Sequence, residues 1–559
     1  MSGWAQKILD IDLTSRTVNT YPLDMDMARL FVGGRGLGAR LLWDLVGPGV
    51  DPLSPENVLI FTNGPLTATG YQTSNRFSVS TKSPLTGTIL DANSGGFWGM
   101  QFRKTGHAVL IIRGRAETPV WIEIIQDQVT IHDAADLWGM RVFDVTRKLG
   151  QDKHRRNVLT IGPAGESLSR IAAIMNDGER ALARGGPGAV MGSKNLKAIV
   201  VRGTKGHPLA DKKKYLELVH AIQADELKNY SRKKYGTASA GVRTSYKENA
   251  FPIRNWQWCS WSDPNIRSIE GAYMDQVSFL GKKACPGCIL HCFYPVEVTS
   301  EDPLMDRVMT DMPDWEAMGM VGGNLGYHEM EGATPADTFT GTHLDQAENL
   351  AKVQFTTFLH DNYGLDYIEG GTLLGMLMEL RQRDLISVDD LDGIDLKWGD
   401  VHAVDALLKK IIAREGVGDK LANGTYETAK YFADLKGNPD IMKYHVTTHR
   451  YGQPAHDVRS PIDKNALEYV TVHRPTEHTG GGTAGFVGGD FAAGIAGQDN
   501  KTASADAMGV CMFPAGHWAG KTVDFIKAAT GWTDFTEEEL NKVGAREFAM
   551  SRLFDIHTQ

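Results

Sequence analysis

Apolar positions along the chain follow two different patterns. Up to about residue 207, short β-branched runs end at Gly, Pro, Asn or Asp, which is typical of strands. These runs lie at 58–61, 108–114, 119–125, 157–162 and 198–203. From about residue 208, apolar residues recur at helical spacing in longer segments, which lie at 213–227, 343–361, 371–384 and 403–415. Strands followed by helices predict an α+β fold with segregated domains.

We expect three domains. The strand-rich N-terminal domain covers 1–207 and is followed by two mainly helical domains at 208–416 and 417–559. Turn chemistry around Gly206 and Pro208 marks the first boundary, and the end of a helix before Gly416 marks the second. No internal repeat is visible in the sequence. The glycine-rich stretch at 479–497 is interpreted as tight packing in preference to a phosphate-binding loop.

Composition excludes several classes of function. The 559 residues carry 59 Lys+Arg and 68 Asp+Glu, a net charge of −9, and no basic stripe suits nucleic acid. No segment is long and apolar enough to span a bilayer. The N-terminus lacks an apolar secretory core, so we expect a reducing, cytoplasmic location, in which five cysteines do not form a disulfide framework. The 61 glycines among 559 residues are a larger share than the usual ~7%. We therefore expect the backbone to approach other groups closely at many points.

Three cysteines form the strongest local motif. Cys285, Cys288 and Cys292 follow a C-x2-C-x3-C spacing, and Pro286 and Gly287 turn the chain after the first cysteine. Three soft ligands so close together in a reducing compartment indicate metal binding. An iron–sulfur cluster is favoured, while a zinc knuckle and three ordinary core cysteines stay open as alternatives. The fourth ligand is either Cys259, which lies among tryptophans, or Cys511, which follows a glycine-rich segment.

A D-x-x-G motif occurs twice. Asp361 to Asp366 and Asp506 to Cys511 both read Asp, two residues, Gly, an aliphatic residue and then Asp or Cys. Glycine can take the left-handed conformation that ends a helix and turns the following backbone groups towards a cleft. One such motif is a common helix end, but two of them predict a pair of similar ligand-binding halves.

A third group of candidates lies in the strand-rich part. Asn93, Gly95, Arg180 and Arg184 lie in the glycine-containing segments ANSGG and ERALARGG, and Arg76 lies in the segment NRFSVS. Glycine permits close backbone approach, and arginine offers a planar fork of donors that suits phosphate. Turns and salt bridges use the same residue types. Taken together, the segments favour a phosphate-bearing cofactor larger than a nucleotide.

The chain resembles the tungsten-containing aldehyde ferredoxin oxidoreductase family from about residue 4 to about residue 554. The resemblance rests on collinear motifs: DPLSPEN at 51–57, GPLT at 64–67, TKSPLTG at 81–87, ANSGG at 92–96, IGPAGE at 161–166, AAIMNDG at 172–178 and GAVMGSKNLKAI at 188–199. It implies a strand-rich domain that forms a base for two pterin cofactors, with two helical domains over them. The pterins would hold one tungsten or molybdenum, beside a [4Fe-4S] cluster.

The resemblance also assigns residues to these cofactors. It gives the cluster Cys285, Cys288, Cys292 and Cys511, which leaves Cys259 aside. The pterin contacts would come from Asp361, Leu365, Asp366, Asp506 and Val510, where Val510 replaces the usual leucine, with Gly95, Arg184 and Arg474 as further cofactor contacts. Arg76 and Arg180 would contact the phosphates, and the carbonyls of Asn93 and Ala181 would bind a Mg²⁺ that bridges them.

Two further residues correspond to the family's acid–base pair. Glu316 aligns with the glutamate beside the metal, and His478 with the active-site histidine. The sequence alone would make Glu316 a solvated helix residue and His478 an ordinary histidine. In the implied site, a carboxylate in a closed cavity can activate water, and a histidine can donate to a carbonyl oxygen.

The sequence departs from the family at three places. The E-x-x-H motif of an interfacial metal is replaced by Phe355 and Phe358, so we expect that metal to be absent, and the usual dimer becomes doubtful. Gly480 stands at the position where the family has a lysine two residues after the active-site histidine. The sequence ends at Gln559, which is early for the family, so we expect a more open pocket or a covering partner.

The leading expectation is a tungsten enzyme that interconverts aldehydes and carboxylic acids. Its electrons would pass through the cluster to ferredoxin or to a dedicated iron–sulfur subunit, in a homo- or hetero-oligomer. One alternative on the same scaffold is the catalytic subunit of an aromatic acyl-CoA reductase of the benzoyl-CoA type. A second alternative is a non-catalytic electron-transfer or cofactor-storage protein. Neither nucleic acid nor a membrane span is expected.

Overall fold

A computed structural model of the chain describes residues 3–70, 73–150, 156–229, 234–238, 250–259, 267–327, 346–459, 463–476, 491–513 and 521–558. The α+β prediction is confirmed, because twelve strands alternate with short helices up to Arg202 and helices dominate afterwards. None of the helices in these ranges is long and apolar enough to cross a membrane.

The N-terminal region contains two six-stranded mixed sheets. The first is built from β1 (Lys7–Asp12), β2 (Thr17–Pro22), β3 (Leu59–Asn63), β4 (Phe77–Lys82), β5 (Ile89–Ser94) and β6 (Val109–Arg113). The second is built from β7 (Val120–Ile125), β8 (Gln128–Asp133), β9 (Asn157–Thr160), β10 (Ile174–Asn176), β11 (Arg180–Leu182) and β12 (Leu196–Arg202).

The two sheets repeat one topology. Their strand orders are β2-β1-β6-β3-β4-β5 and, read from the matching edge, β8-β7-β12-β9-β10-β11. In the first sheet β1 and β6 run parallel, and in the second sheet β7 and β12 run parallel. Every other neighbouring pair of strands in both sheets is antiparallel. The structure therefore contains an internal repeat that is not visible in the sequence. A sheet specifies apolar alternation and volume rather than residue identity, so the sequence does not show the duplication.

Helices connect the strands and are the main secondary structure of the described residues after Arg202. In the N-terminal region they are Met25–Phe31, Gly34–Leu45, Trp98–Lys104, Val142–Gly150, Pro163–Glu166 and Pro187–Ser193. The later helices are Lys212–Asn229, Gly271–Val277, Trp315–Met320, Gln346–Tyr363, Tyr367–Gln382, Val401–Ala413, Gly418–Leu421, Thr425–Lys436, Asp463–Thr471, Phe491–Met508, Thr522–Thr530 and Glu537–Thr558. Two short ribbons pair Pro295–Glu297 with Met309–Asp311 and Thr447–Thr448 with Tyr451–Gly452.

The three largest apolar cores among the described residues join these layers. The sheets share a core that contains Phe61 from the first and Ile199 from the second. Another core packs Ile60 of the first sheet against C-terminal helices through Phe525. The largest core joins segments of the second half, such as Ala172, to the central helices. Each half of the duplicated base therefore carries its own helical layer.

Candidate cofactor and active site

The first D-x-x-G motif ends a long helix. The helix Gln346–Tyr363 stops where Gly364 takes φ of +73°. The amide of Gly364 donates to the carbonyl of Asp361 at 3.2 Å, and the amide of Leu365 donates to that of His360 at 2.8 Å. A side chain at this φ would be strained, so the glycine is required for the turn.

The second motif repeats this geometry. The helix Phe491–Met508 stops where Gly509 takes φ of +79°. The amide of Gly509 donates to the carbonyl of Asp506 at 3.0 Å, and the amide of Val510 donates to that of Ala505 at 3.0 Å. The two motifs are thus the same helix-ending turn, as the sequence predicts.

Each turn lies on a glycine that follows the equivalent strand of the base. Gly64 follows β3 and Gly162 follows β9. A Cβ on Gly64 would lie 2.0 Å from the carbonyl carbon of Met508, and one on Gly162 would lie 2.2 Å from the carbonyl oxygen of Tyr363. The duplication of the sheets therefore extends to the turns, which form two matching halves.

The residue that ends each motif differs in role. The amide of Cys511 donates to the carbonyl of Thr73 at 2.9 Å, and that of Asp366 donates to Ile171 at 2.9 Å. Asp366 then caps the next helix by accepting from the amide of Ile368 at 2.9 Å. One half thus presents a thiol at the position where the other presents a carboxylate.

The structure gathers four of the five cysteines. The thiol of Cys288 interacts electrostatically with those of Cys285, Cys511 and Cys292. Cys259 interacts instead with Asp457 and Arg459. The described residues contain no group of three Cys, His, Asp or Glu side chains arranged to hold one ion. A cluster that takes one thiolate per iron atom calls for wider spacing.

Positive groups and amide donors surround part of this cluster of thiols. Burial works against ionisation of Cys285, but Arg180, the amide of Gly96 at 3.2 Å and Arg76 together hold its pKa below the ordinary value. Burial raises the pKa of Cys288 to about 12, and the neighbouring thiolates add to that rise. Ionisation of all four thiols together would need more positive charge than the neighbouring arginines supply, which fits an iron–sulfur cluster.

The arginines predicted to contact phosphate divide into two groups. Arg76 lies at the thiols, where its Nη2 is 3.3 Å from the sulfur of Cys511 and its Nη1 is 3.4 Å from the carbonyl of Asn93. Arg180 also faces the thiols, with its guanidinium 5.0 Å from the ring centre of Phe293.

Arg184 lies at the first motif instead. Its Nη2 donates to the carbonyl of Gly452 at 2.6 Å, and its Nε is 3.4 Å from a carboxylate oxygen of Asp366. The guanidinium also covers the ring of Tyr451 at 5.0 Å.

The strands that carry Asn93 and Ala181 meet between the two halves. These strands, β5 and β11, are the equivalent edge strands of the two sheets, and they are in contact. Asn176 lies on β10, which pairs with β11, and its side chain donates to the carbonyl of Gly95, directly after β5, at 2.7 Å. A Cβ on Gly95 would lie 3.0 Å from the sulfur of Cys285, so this loop passes directly beside the thiols.

Arg474 lies in a buried group of charges beside the second motif. Its Nη1 donates to the backbone carbonyl of Asp91 at 2.6 Å. His473 Nε2 lies 2.7 Å from an oxygen of the Asp91 side-chain carboxylate. Arg35 connects the group to Asp506, with 2.9 Å between its Nε and the Asp506 carboxylate. Burial raises the pKa of Asp506 despite these arginines.

Glu316 is buried, which corrects the solvated position that its sequence context alone suggests. Asp314 caps the helix Trp315–Met320, whose first turn carries Glu316. Glu316 Oε2 accepts from the amide of Ala455 at 2.7 Å, and Oε1 lies 3.4 Å from His456 Nε2. His478 and Gly480 lie outside the described residues, so their placement stays a prediction.

Asp311, a carboxylate that the sequence analysis missed, lies against Asp361 of the first motif. Burial raises the pKa of Asp311 to about 7, and the pKa of Asp361, hydrogen-bonded to it, rises well above its ordinary value for the same reason. This pair holds a proton near neutral pH. Tyr367 donates to Asp314 at 3.1 Å nearby. Asp311 lies in the segment DMPDWE, but no spacing rule connects it to a residue fifty positions later.

The positions of the missing E-x-x-H motif face an aromatic group. Phe355 is buried, and its ring lies 5.9 Å from that of Phe358. Phe358 also lies 5.5 Å from Phe143 of the base. Apolar packing occupies the positions where the family carries metal ligands.

Comparison with known protein families shows which family shares these domains. The model of the N-terminal domain of aldehyde ferredoxin oxidoreductase matches residues 8–203, and the model of that family's domains 2 and 3 matches residues 214–559. The chain belongs to the aldehyde ferredoxin oxidoreductase family. The predicted family membership is therefore confirmed.

Individual relatives of this family member cover its whole length. A tungsten-containing aldehyde ferredoxin oxidoreductase of Pyrococcus furiosus is 34% identical over 100% of this chain and 89% of its own. The WOR-like subunit of an aliphatic sulfonate oxidoreductase from the same organism is 31% identical over 99% and 86%. The solved active-site complex BamBC of benzoyl coenzyme A reductase has a TM-score of 0.82 at 24% identity, over 100% of this chain and 89% of that one. At that identity the likeness shows the fold alone.

Proposed function

We propose that this protein oxidises aldehydes to carboxylic acids and passes the electrons to ferredoxin or to an iron–sulfur partner subunit. The observation that carries the proposal is the continuity of Val510 and Cys511: the turn that would contact a pterin runs directly into a cluster thiol. A pterin on this turn and a cluster on this thiol would be neighbours. Such an arrangement suits electron transfer from a reaction centre outward.

The described residues fit the cofactors that the family implies. The two matching turns offer equivalent sites for two pterins, and the four gathered thiols suit a [4Fe-4S] cluster. When bound, the tungsten or molybdenum bis-pterin accepts the two electrons, and the cluster passes them on singly. A Mg²⁺ between the pterin phosphates would take the carbonyls of Asn93 and Ala181, on strands that meet between the halves. The residues proposed to hold the pterins are Gly95, Arg76, Arg180, Arg184, Asp361, Leu365, Asp366, Arg474, Asp506 and Val510.

The residues of the chain would manage the protons. Aldehyde and water give carboxylic acid, two protons and two electrons, so a base near the substrate assists water attack. Glu316 is buried, and the amide of Ala455 orients its carboxylate by donating to Oε2, so we assign this carboxylate the role of the base. We assign His478 the role of donor to the carbonyl oxygen. Water exclusion around Glu316 would strengthen both interactions.

The direct test is an anaerobic assay of protein produced with tungstate. We expect aldehyde-dependent reduction of a viologen dye, and no reduction of benzoyl-CoA when reduced viologen is supplied. Glu316→Gln keeps the amide contact but removes the base, and should lower kcat by about 10² or more with the metal content unchanged. Benzoyl-CoA reduction without aldehyde oxidation would favour the acyl-CoA reductase. Unchanged turnover in both Glu316→Gln and His478→Ala would remove their assigned roles.

A further inference from the structure

His456 lies directly against the proposed base. Its Nε2 is 3.4 Å from Glu316 Oε1, and the preceding amide, that of Ala455, binds the other oxygen of the same carboxylate. The backbone and the ring of one short segment thus contact both oxygens of Glu316. A ring nitrogen at this distance can exchange a proton with the carboxylate after a small movement.

The helix that carries Glu316 also packs against the segment that contains Ala455 and His456. The indole of Trp315 stacks on the His456 ring, with centroids 5.0 Å apart and planes at 27°. Its Nε1 donates to the carbonyl of Ala455 at 3.2 Å. A Cβ on Gly319 would lie 2.4 Å from the Cβ of Ala455, so this glycine permits the close approach. The neighbouring residues of Glu316 therefore fix the position of the imidazole.

We propose that His456 is a positioning residue for Glu316 and the acceptor of its proton, a role that rests on the proposed function. Glu316 takes one proton from the attacking water and becomes a neutral acid. That proton then passes from Oε1 to Nε2 of the neutral imidazole, and the imidazolium releases it to solvent. The His456 side chain is 17% exposed, so it has contact with water that the buried Glu316 carboxyl largely lacks. The broken C–H bond of the aldehyde supplies the two electrons, which leave through the cofactors, and its proton is released to solvent, so no other reactant is required.

Other charged groups among the described residues lie close to His456. Asp457 accepts from Arg459 Nε at 3.0 Å through both oxygens. The helix Asp463–Thr471 packs against the segment through Tyr469, whose hydroxyl donates to the carbonyl of His456 at 3.3 Å, and it also carries the buried Glu468. Among the described residues, the Glu316 carboxylate lies within ion-pair distance of the imidazole, with Oε1 3.4 Å from Nε2.

A titration without turnover tests the pairing. In protein labelled with ¹³C-histidine, the His456 ring signal is assigned by its loss in His456→Phe. Because a carboxylate favours the imidazolium, we expect this signal to titrate at lower pH in Glu316→Gln than in the wild type. His445 is the internal control, since it is half-buried and hydrogen-bonded to Thr447 Oγ1 at 2.9 Å. Equal titration of the His456 signal in both proteins would overturn the pairing.

Chemical rescue tests the proton transfer. His456→Phe keeps a ring on Trp315 but lacks nitrogen, and should lower kcat by about tenfold or more while KM changes little. His456→Gln should also turn over slowly, because an amide hydrogen-bonds but does not carry a proton at neutral pH. Added imidazole should restore turnover to His456→Ala, whereas sodium chloride at equal ionic strength should not. His445→Phe is the matched control.

These readouts separate the two proposals. Wild-type turnover in His456→Phe, or a loss in His456→Ala that imidazole does not relieve, would remove the proton-accepting role and leave aldehyde oxidation standing. A fully metallated wild type that fails to oxidise aldehydes, with the titration coupling intact, would overturn the proposed function instead and limit His456 to positioning Glu316.

Discussion

Arg76 donates to the sulfur of Cys511 across 3.3 Å, although the two residues lie 435 positions apart in the chain. Burial opposes the charge of Arg76, but the interaction with Cys511 and other acidic groups raises its pKa, so it stays a cation. The same guanidinium reaches the carbonyl of Asn93. Arg76 therefore joins the base, the second motif and the thiols at one point.

Replacing Arg76 should change the redox behaviour of the cluster. Arg76→Met removes a hydrogen bond and a positive charge beside Cys511, which stabilise the more negative, reduced cluster. We expect the reduction potential to fall by tens of millivolts in a titration followed by electron paramagnetic resonance. Arg113→Met, which breaks the partly exposed pair with Asp10, is the control. A potential equal to that of the wild type would contradict the assignment of Arg76.

The five cysteines should divide four to one. Cys288→Ser and Cys511→Ser each remove a proposed ligand, so we expect loss of iron and of visible absorbance. Cys259→Ser should retain both, because Cys259 lies near Arg459 rather than among the thiols. Iron content and the absorption spectrum of anaerobically purified variants decide the matter. Iron loss in Cys259→Ser with iron retained in Cys511→Ser would reverse the ligand assignment.

The contact between each turn and the base should be sensitive to a single methyl group. Gly64→Ala and Gly162→Ala would place a Cβ 2.0 and 2.2 Å from backbone atoms of the two turns. Backbone cannot yield cheaply, so we expect each to lower the free energy of unfolding by about 1–3 kcal/mol or more in urea titrations. Gly47→Ala is the control, since nothing lies within 4 Å of its added Cβ. Wild-type stability in both variants would contradict the packing of the turns.

We expect Asp555 to make the free energy of unfolding depend on pH. Burial raises its folded-state pKa to about 7, although its Oδ1 accepts from the amide of Ile89. The folded state then holds a proton that the unfolded state releases nearer its ordinary pKa of ~3.9. The stabilisation from this group is fully present below that value and is lost as pH rises towards 7.

The matching variant is Asp555→Asn, which keeps the acceptor and cannot ionise. We expect it to equal the wild type in urea unfolding near pH 4 and to become the more stable protein at pH 8. Asp534→Asn tests an exposed carboxylate as control. A wild type that is more stable than Asp555→Asn at pH 8 would show that the carboxylate is stabilised when ionised.

Local sequence features predicted the parts of the site that local geometry determines. Glycine at the end of an apolar helix fixes both D-x-x-G turns, and close thiol spacing marks Cys285, Cys288 and Cys292. Contacts across the chain were not visible: Glu316 meets Ala455 139 positions later. The duplicated sheets were missed because strand pairing leaves no record in local periodicity. The domain limits at 207 and 416 and the role of His478 stay predictions.

The cofactor set underlies every step of this account, so metal analysis of the purified wild type tests it most directly. Tungsten, molybdenum and iron are counted per chain in one anaerobic preparation from medium that contains both tungstate and molybdate. The account predicts about one tungsten or molybdenum and about four iron atoms per chain. Clearly fewer than four iron atoms, with neither tungsten nor molybdenum present, would contradict it.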